Sequence, residues 1–85
     1  MTWDEELDAR GLICPLPVLK AQRRLRLLAP GKVLRVIADD PAAVVDMPHF
    51  CAGAGHELLA REDLGGPCHA WLIRAQASPM KSASV

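Results

Sequence analysis

The sequence predicts an α/β protein of the α+β two-layer kind. Its elements run β-α-β-α-β-β and build a four-stranded mixed sheet with both helices on one face. Three observations predict this. The stretch "KVLRVIAD" (32–39) is β-branched and almost wholly apolar, as a central strand requires. Two segments on either side of it carry apolar residues at helical spacing. Two further strand-like segments close the chain, joined by the Gly/Pro turn "LGGPC".

Residues 4–9 read as a first strand, with Leu7 and Ala9 pointing one way. Residues 15–29 read as a helix. Val18, Ala21, Leu25 and Leu28 recur at steps of three and four and form one apolar stripe, and "APG" (29–31) stops the helix. After the central strand, "DDP" (39–41) is read as a helix start, with Asp40 as N-cap and Pro41 at the first helical position. Val44, Met47, Cys51 and Ala54 give the second stripe; Pro48 is expected to kink or split that helix, and Gly53 and Gly55 to end it. "HELLARED" (56–63) and "HAWLIRA" (69–75) form an antiparallel hairpin. The first two strands are joined through a helix, so they are expected to lie parallel with a right-handed crossover.

The 85 residues make one domain, assigned to 1–76, with a small, polar tail at 77–85 expected to be flexible. At 51% hydrophobic and 24% charged residues the chain is globular rather than disordered. Ten basic residues balance ten acidic ones, which argues against general attraction to nucleic acid or an anionic membrane. The apolar runs are too short to span a bilayer, and the acidic N-terminus "MTWDEELD" has no signal-peptide character. The expectation is a cytoplasmic protein whose three cysteines, Cys14, Cys51 and Cys68, are reduced.

Parallel pairing of the first two strands brings the loop holding Cys14 and the turn holding Asp39 and Asp40 to one edge of the sheet, where open α/β sheets carry function. Cys14 stands where the first helix begins. Unpaired N–H groups and the helix dipole there favour thiolate, and the aspartates oppose it; a modestly lowered pKa is the expected balance. Pro15 and Pro17 suit a first turn, where a missing N–H costs little, and Gly11 lets the loop turn. The plainer alternative is a small buried cysteine at a loop-to-helix junction.

Several motifs occur in order: Asp8-Ala-Arg-Gly11, Cys-Pro-x-Pro at 14–17, "ADDPA" at 38–42, "D-x-P-x-F-C" at 46–51 and the closing "HAWLIRA". Over residues 6–75 the chain resembles the TusA/SirA family of small bacterial sulfur carriers. The resemblance implies that Cys14 accepts sulfane sulfur as a persulfide from a cysteine desulfurase or other donor and passes it to a cysteine of an acceptor protein. It implies 2-thiolation of the tRNA wobble uridine as the best-known destination, with molybdenum-cofactor assembly and sulfur oxidation served by other members. Leu16 occupies the variable position of the motif, where tRNA-relay members often carry an acidic residue. Such chemistry asks for an exposed thiol and for no cofactor or metal in the carrier itself.

Other residues are weighed against plainer roles. Cys51 lies on the apolar stripe of the second helix and reads as core; Cys68 reads as incidental. Asp46 and Pro48 read as shaping the second helix. His49, His56 and His69 lack metal-ligand spacing, and there is no Cys-x-x-Cys pair. Arg10, Lys20, Arg23 and Arg24, with Asp40, are the candidates for partner contact, against a simple solvated face for the helix cations. A non-catalytic regulatory or RNA-binding module is the competing class. Two Trp, one Phe and no Tyr give it little to stack bases on.

Overall fold

The computed structural model describes residues 2–76; the tail expected at 77–85 lies outside them. The elements are β1 (Glu5–Asp8), α1 (Leu16–Leu27), β2 (Val33–Ala38), α2 (Ala43–Ala54), β3 (Glu57–Asp63) and β4 (His69–Arg74). The sheet order is β1-β2-β4-β3, so the apolar strand read as central is central. β1 and β2 are parallel, β2 and β4 antiparallel, and β3 and β4 form the hairpin, with an irregularity between Leu58 and Ala60.

Alternation along β2 decides which face the helices cover. Leu34, Val36 and Ala38 are fully buried, while Val33, Arg35 and Ile37 are half-buried. Cross-strand register sets Leu7 and Trp71 beside Val36, and Ile73 beside Leu34. These side chains share one core with Ala21 and Leu25 of α1 and Ala43, Met47 and Cys51 of α2. Both helical stripes therefore meet the same face of the sheet.

The other face is closed by an arginine rather than by a layer of helices. Arg35 reaches Glu6 on β1 at 2.9 Å and Glu62 on β3 at 3.3 Å. To reach β3 its side chain must cross β4, and there Ala70 and Leu72 are buried. The Trp3 ring lies 4.4 Å from the guanidinium carbon and covers it from outside. The apolar stem and the stacked ring together do the work of a small second core.

Three local expectations are corrected. Asp40 is not the cap of α2: the helix starts later, its N-cap is Ala42 with no side-chain hydrogen bond, and Pro41 lies in the preceding turn. Pro48 does not split the helix, which runs as one element through it. A proline removes one helical hydrogen bond, and here Ala43 and Met47 on one side and Cys51 on the other hold the segment to the core. Gly53 is helical, so Gly55 alone ends α2. It takes the left-handed conformation (φ +81°), and the amide of His56 donates to the Cys51 carbonyl at 3.0 Å.

Leu34 is fully buried at the centre of the core and Leu27 is 75% exposed. Leu34→Ala is expected to cost about 3 kcal/mol, and Leu27→Ala under about 0.5 kcal/mol, as read from urea unfolding midpoints.

Candidate functional site

The site lies at the end of the sheet where β1 and β2 both finish. From Ala9 the chain must turn away from the sheet and enter α1 within a few residues. Asp8 starts the turn. Its carboxylate accepts from the backbone N–H of Arg10 at 3.0 Å and from the Arg10 guanidinium at 2.9 and 2.8 Å. These bonds hold the Asp8 carboxyl down at about 2. Gly11 follows with φ +83°, a conformation that any other residue adopts under strain.

Two carboxylates from the end of β2 then fix the loop. Asp39 Oδ1 accepts the Gly11 N–H at 3.0 Å, and Asp40 Oδ2 accepts the Cys14 N–H at 2.8 Å. The side chain read as a helix cap is thus spent on the cysteine's own backbone. The Cys14–Pro15 peptide bond is cis, Pro15 is the N-cap of α1, and Pro17 is buried in the first turn.

Cys14 is exposed, and its Sγ donates to Asp46 Oδ2 on α2 at 3.2 Å. Asp46 was read from sequence as a helix-shaping residue; here it reaches across to the sulfur. The expected lowering of the thiol pKa is overturned. The hydrogen bond to Asp46 is the first cause that raises it, followed by partial desolvation and the negative charges of Asp46 and Asp40. The backbone explains why the helix end does not compensate. Pro15 and Pro17 have no N–H, Leu16 donates to the Ile13 carbonyl at 2.8 Å, and Cys14 donates to Asp40. None of residues 14–17 offers a free N–H to a thiolate. The prolines that suit the start of the helix also remove donors that would lower the pKa.

Beside the sulfur, Pro15, Val18, Asp46, His49 and Phe50 line a shallow cleft of about 210 Å³ between α1 and α2. Ile13 and Leu16, on either side of the Cys14–Pro15 pair, are exposed apolar residues.

The candidate partner residues separate into two groups. Arg10 is held by Asp8, and Arg24 is paired with Glu5 on β1. Lys20 and Arg23 are exposed and make no ion pair among the described residues. Asp40 is half-buried against the loop.

The remaining thiols differ from Cys14. Cys51 is buried in the core, and burial pushes its thiol up to about 11. Cys68 is half-buried just before β4. Because β4 runs antiparallel to β2, with His69 opposite Ala38, Cys68 lies at the same end of the sheet as Cys14. Its position in a hairpin turn gave no hint of this; only the strand order does. His56 Nδ1 accepts the Gln76 N–H at 3.1 Å, His69 Nδ1 faces the Pro67 carbonyl at 3.2 Å, and His49 is exposed on the cleft.

Comparison with known proteins agrees with this architecture. Residues 5–74 match the family model described as "Sulfurtransferase TusA". The chain is 46% identical over 67 residues to the sulfur carrier protein TusA of Allochromatium vinosum, covering 79% of this chain and 88% of that protein. Its fold is similar to the crystal structure of a SirA-like protein from Desulfitobacterium hafniense, with a TM-score of 0.70 and 28% identity. That match covers 87% of this chain and all of the other.

Two outcomes follow from the geometry. Asp40→Ala is expected to speed amide hydrogen exchange at Cys14 about tenfold, the loss of one hydrogen bond to a charged acceptor, while exchange at Met47 in α2 is unchanged. In the folded protein, thiol alkylation followed by peptide mass analysis is expected to label Cys14 and to leave Cys51 unlabelled until denaturant is added.

Proposed function

Because the chain belongs to the TusA family of sulfur carriers, we propose that Cys14 is its sulfur-bearing residue and that it works as a persulfide relay. One observation carries the assignment: of the three thiols, only that of Cys14 is exposed, and its backbone is fixed to the sheet by Asp40. In the loading step the Cys14 sulfur attacks the outer sulfur of a donor persulfide. The donor's S–S bond breaks, its cysteine leaves as a thiol, and Cys14 becomes Cys–S–SH. One thiol and one persulfide enter, and one of each leaves, so no oxidant is needed. Unloading is the same exchange onto an acceptor cysteine.

A sulfur carrier has donor and acceptor partners. A cysteine desulfurase is the donor we assign, in the cytoplasm where cysteines stay reduced. Among the described residues no helix is long and apolar enough to cross a membrane. For partner contact, Lys20 and Arg23 remain open to an acidic surface, while Ile13 and Leu16 offer apolar contact next to the sulfur. Arg10 and Asp40 act through the loop they hold, and Arg24 through its bond to β1.

Wobble-uridine 2-thiolation of tRNA is the destination we assign to the relay, through an acceptor enzyme rather than by direct RNA contact. The aromatic residues support that restriction: Trp71 is buried, Trp3 is stacked on Arg35, and Phe50 is half-buried in the cleft, which leaves no row of rings for bases. One observation favours a second destination. Leu16, where tRNA-relay carriers often have an acid, is 41% exposed beside the sulfur. That departure leaves molybdenum-cofactor assembly or sulfur oxidation as the second destination for the same carrier chemistry.

Incubation with a cysteine desulfurase and cysteine is expected to add about 32 Da, one sulfur atom, to the peptide containing Cys14. Cys14→Ser abolishes the gain and Cys51→Ser keeps it. A persulfide found only on Cys51 overturns the assignment.

A further inference from the structure

We propose that Asp46 is a positioning residue that holds the unloaded Cys14 as a hydrogen-bonded thiol and cannot hold it as a persulfide, so that loading frees the sulfur from helix α2. The proposal deepens the carrier reading and rests on it. It starts from the 3.2 Å contact between Cys14 Sγ and Asp46 Oδ2, which joins residues 32 positions apart across the cleft between α1 and α2.

The contact depends on a hydrogen that only the unloaded form has. A carboxylate is an acceptor, and a thiol has one S–H to donate. After sulfur arrives, Sγ is bonded to Cβ and to the outer sulfur and carries no hydrogen. The outer S–H is more acidic than a thiol and gives its proton to water at neutral pH. Asp46 then faces a sulfur without a donor and a new negative charge. The other groups facing Cys14 do not offset that repulsion. Asp40 is a second carboxylate whose Oδ2 already accepts the Cys14 N–H, and the backbone from 14 to 17 has no free donor. His49 stands on the wall of the same cleft as Asp46 and makes no bond to either carboxylate among the described residues.

The same contact restrains the unloaded sulfur. The thiolate is the attacking species, and a neighbouring carboxylate disfavours it. A unit charge about 4 Å away in water-like surroundings changes the thiolate population about fivefold. Nucleophilicity falls as the thiol becomes more acidic, so about two- to threefold survives in the rate. Asp46 thus makes the empty carrier less reactive towards stray electrophiles and has no grip on the loaded one.

The test compares iodoacetamide alkylation of Cys14 in the wild type, Asp46→Asn and Asp46→Glu, read by peptide mass across a pH series. Each protein is taken as thiol and as persulfide, the latter made with inorganic polysulfide so that no donor protein is required. Asp46→Asn is expected to move the thiol profile to lower pH and to raise the thiol rate at pH 7 about two- to threefold. Asp46→Glu should stay near the wild type, and the persulfide rate at pH 7, where the outer sulfur is already ionised, should be the same in all three. Asp46→Ser replaces Asp46→Asn if the latter does not fold. An unchanged thiol profile in a folded variant overturns the proposal. So does equal acceleration of thiol and persulfide, since that marks a general opening of the site. If the thiol profile shifts as expected but a desulfurase never loads wild-type Cys14, the relay reading fails and the Asp46 contact stands; the reverse pattern removes only the Asp46 role.

Discussion

Two hydrogen bonds set the geometry of the candidate site: Gly11 to Asp39 and Cys14 to Asp40. Beyond Ala9 the loop from β1 to α1 is short, mostly exposed and ends in a proline, so residues 10–15 have no ladder or helix of their own to hold them. The carboxylates at the end of β2 supply the missing acceptors. They can do so because β1 and β2 are parallel and finish side by side, which in turn requires α1 as the crossover between them. The position of the sulfur therefore follows from the pairing of two strands that it does not belong to. Each link is physical: apolar runs choose the strands, the crossover sets their direction, and the direction places the acceptors.

Much of this chain of consequence can be read from residues alone. The central strand shows in its unbroken apolar run, the two helices in stripes of three and four, and the hairpin in its Gly/Pro turn. Strand direction then puts Cys14, Asp39 and Asp40 together without reference to side-chain detail. What cannot be read is the choice each carboxylate makes among several acceptable partners. Asp40 stands before a proline and a helix, so local rules give it a capping role; its carboxylate accepts the Cys14 N–H instead. Asp46 stands in the first turn of α2, where an acid is favourable for the helix dipole in any case. A residue with an adequate local explanation gives no sign that it has a distant one. The direction of the Cys14 shift is hidden for the same reason, because it is set first by the hydrogen bond to Asp46, whose place in the sequence already has a local explanation.

The two faces of the sheet solve the burial problem differently. One is covered by apolar stripes from α1 and α2, and the other by Arg35, held between Glu6 and Glu62 beneath Trp3. A domain of this size cannot build two full cores. A long side chain with an apolar stem, fixed at its charged end, covers two strands with one residue. The helix-covered face is thereby the one that ends in the cleft beside Cys14.

The first turn of α1 has a consequence for how such a protein changes over generations. A backbone donor changes only where a proline is gained or lost, whereas a carboxylate can be altered at any position that carries one. With Pro15 and Pro17 lacking N–H groups, and Leu16 spending its own on Ile13, the reactivity of Cys14 is left to side chains on another helix and another strand end. A codon change at Asp46 bears on the thiol directly, while one at Asp40 acts through the loop that presents it. A small scaffold arranged in this way leaves the tuning of one cysteine to a few carboxylates drawn from elsewhere in the chain.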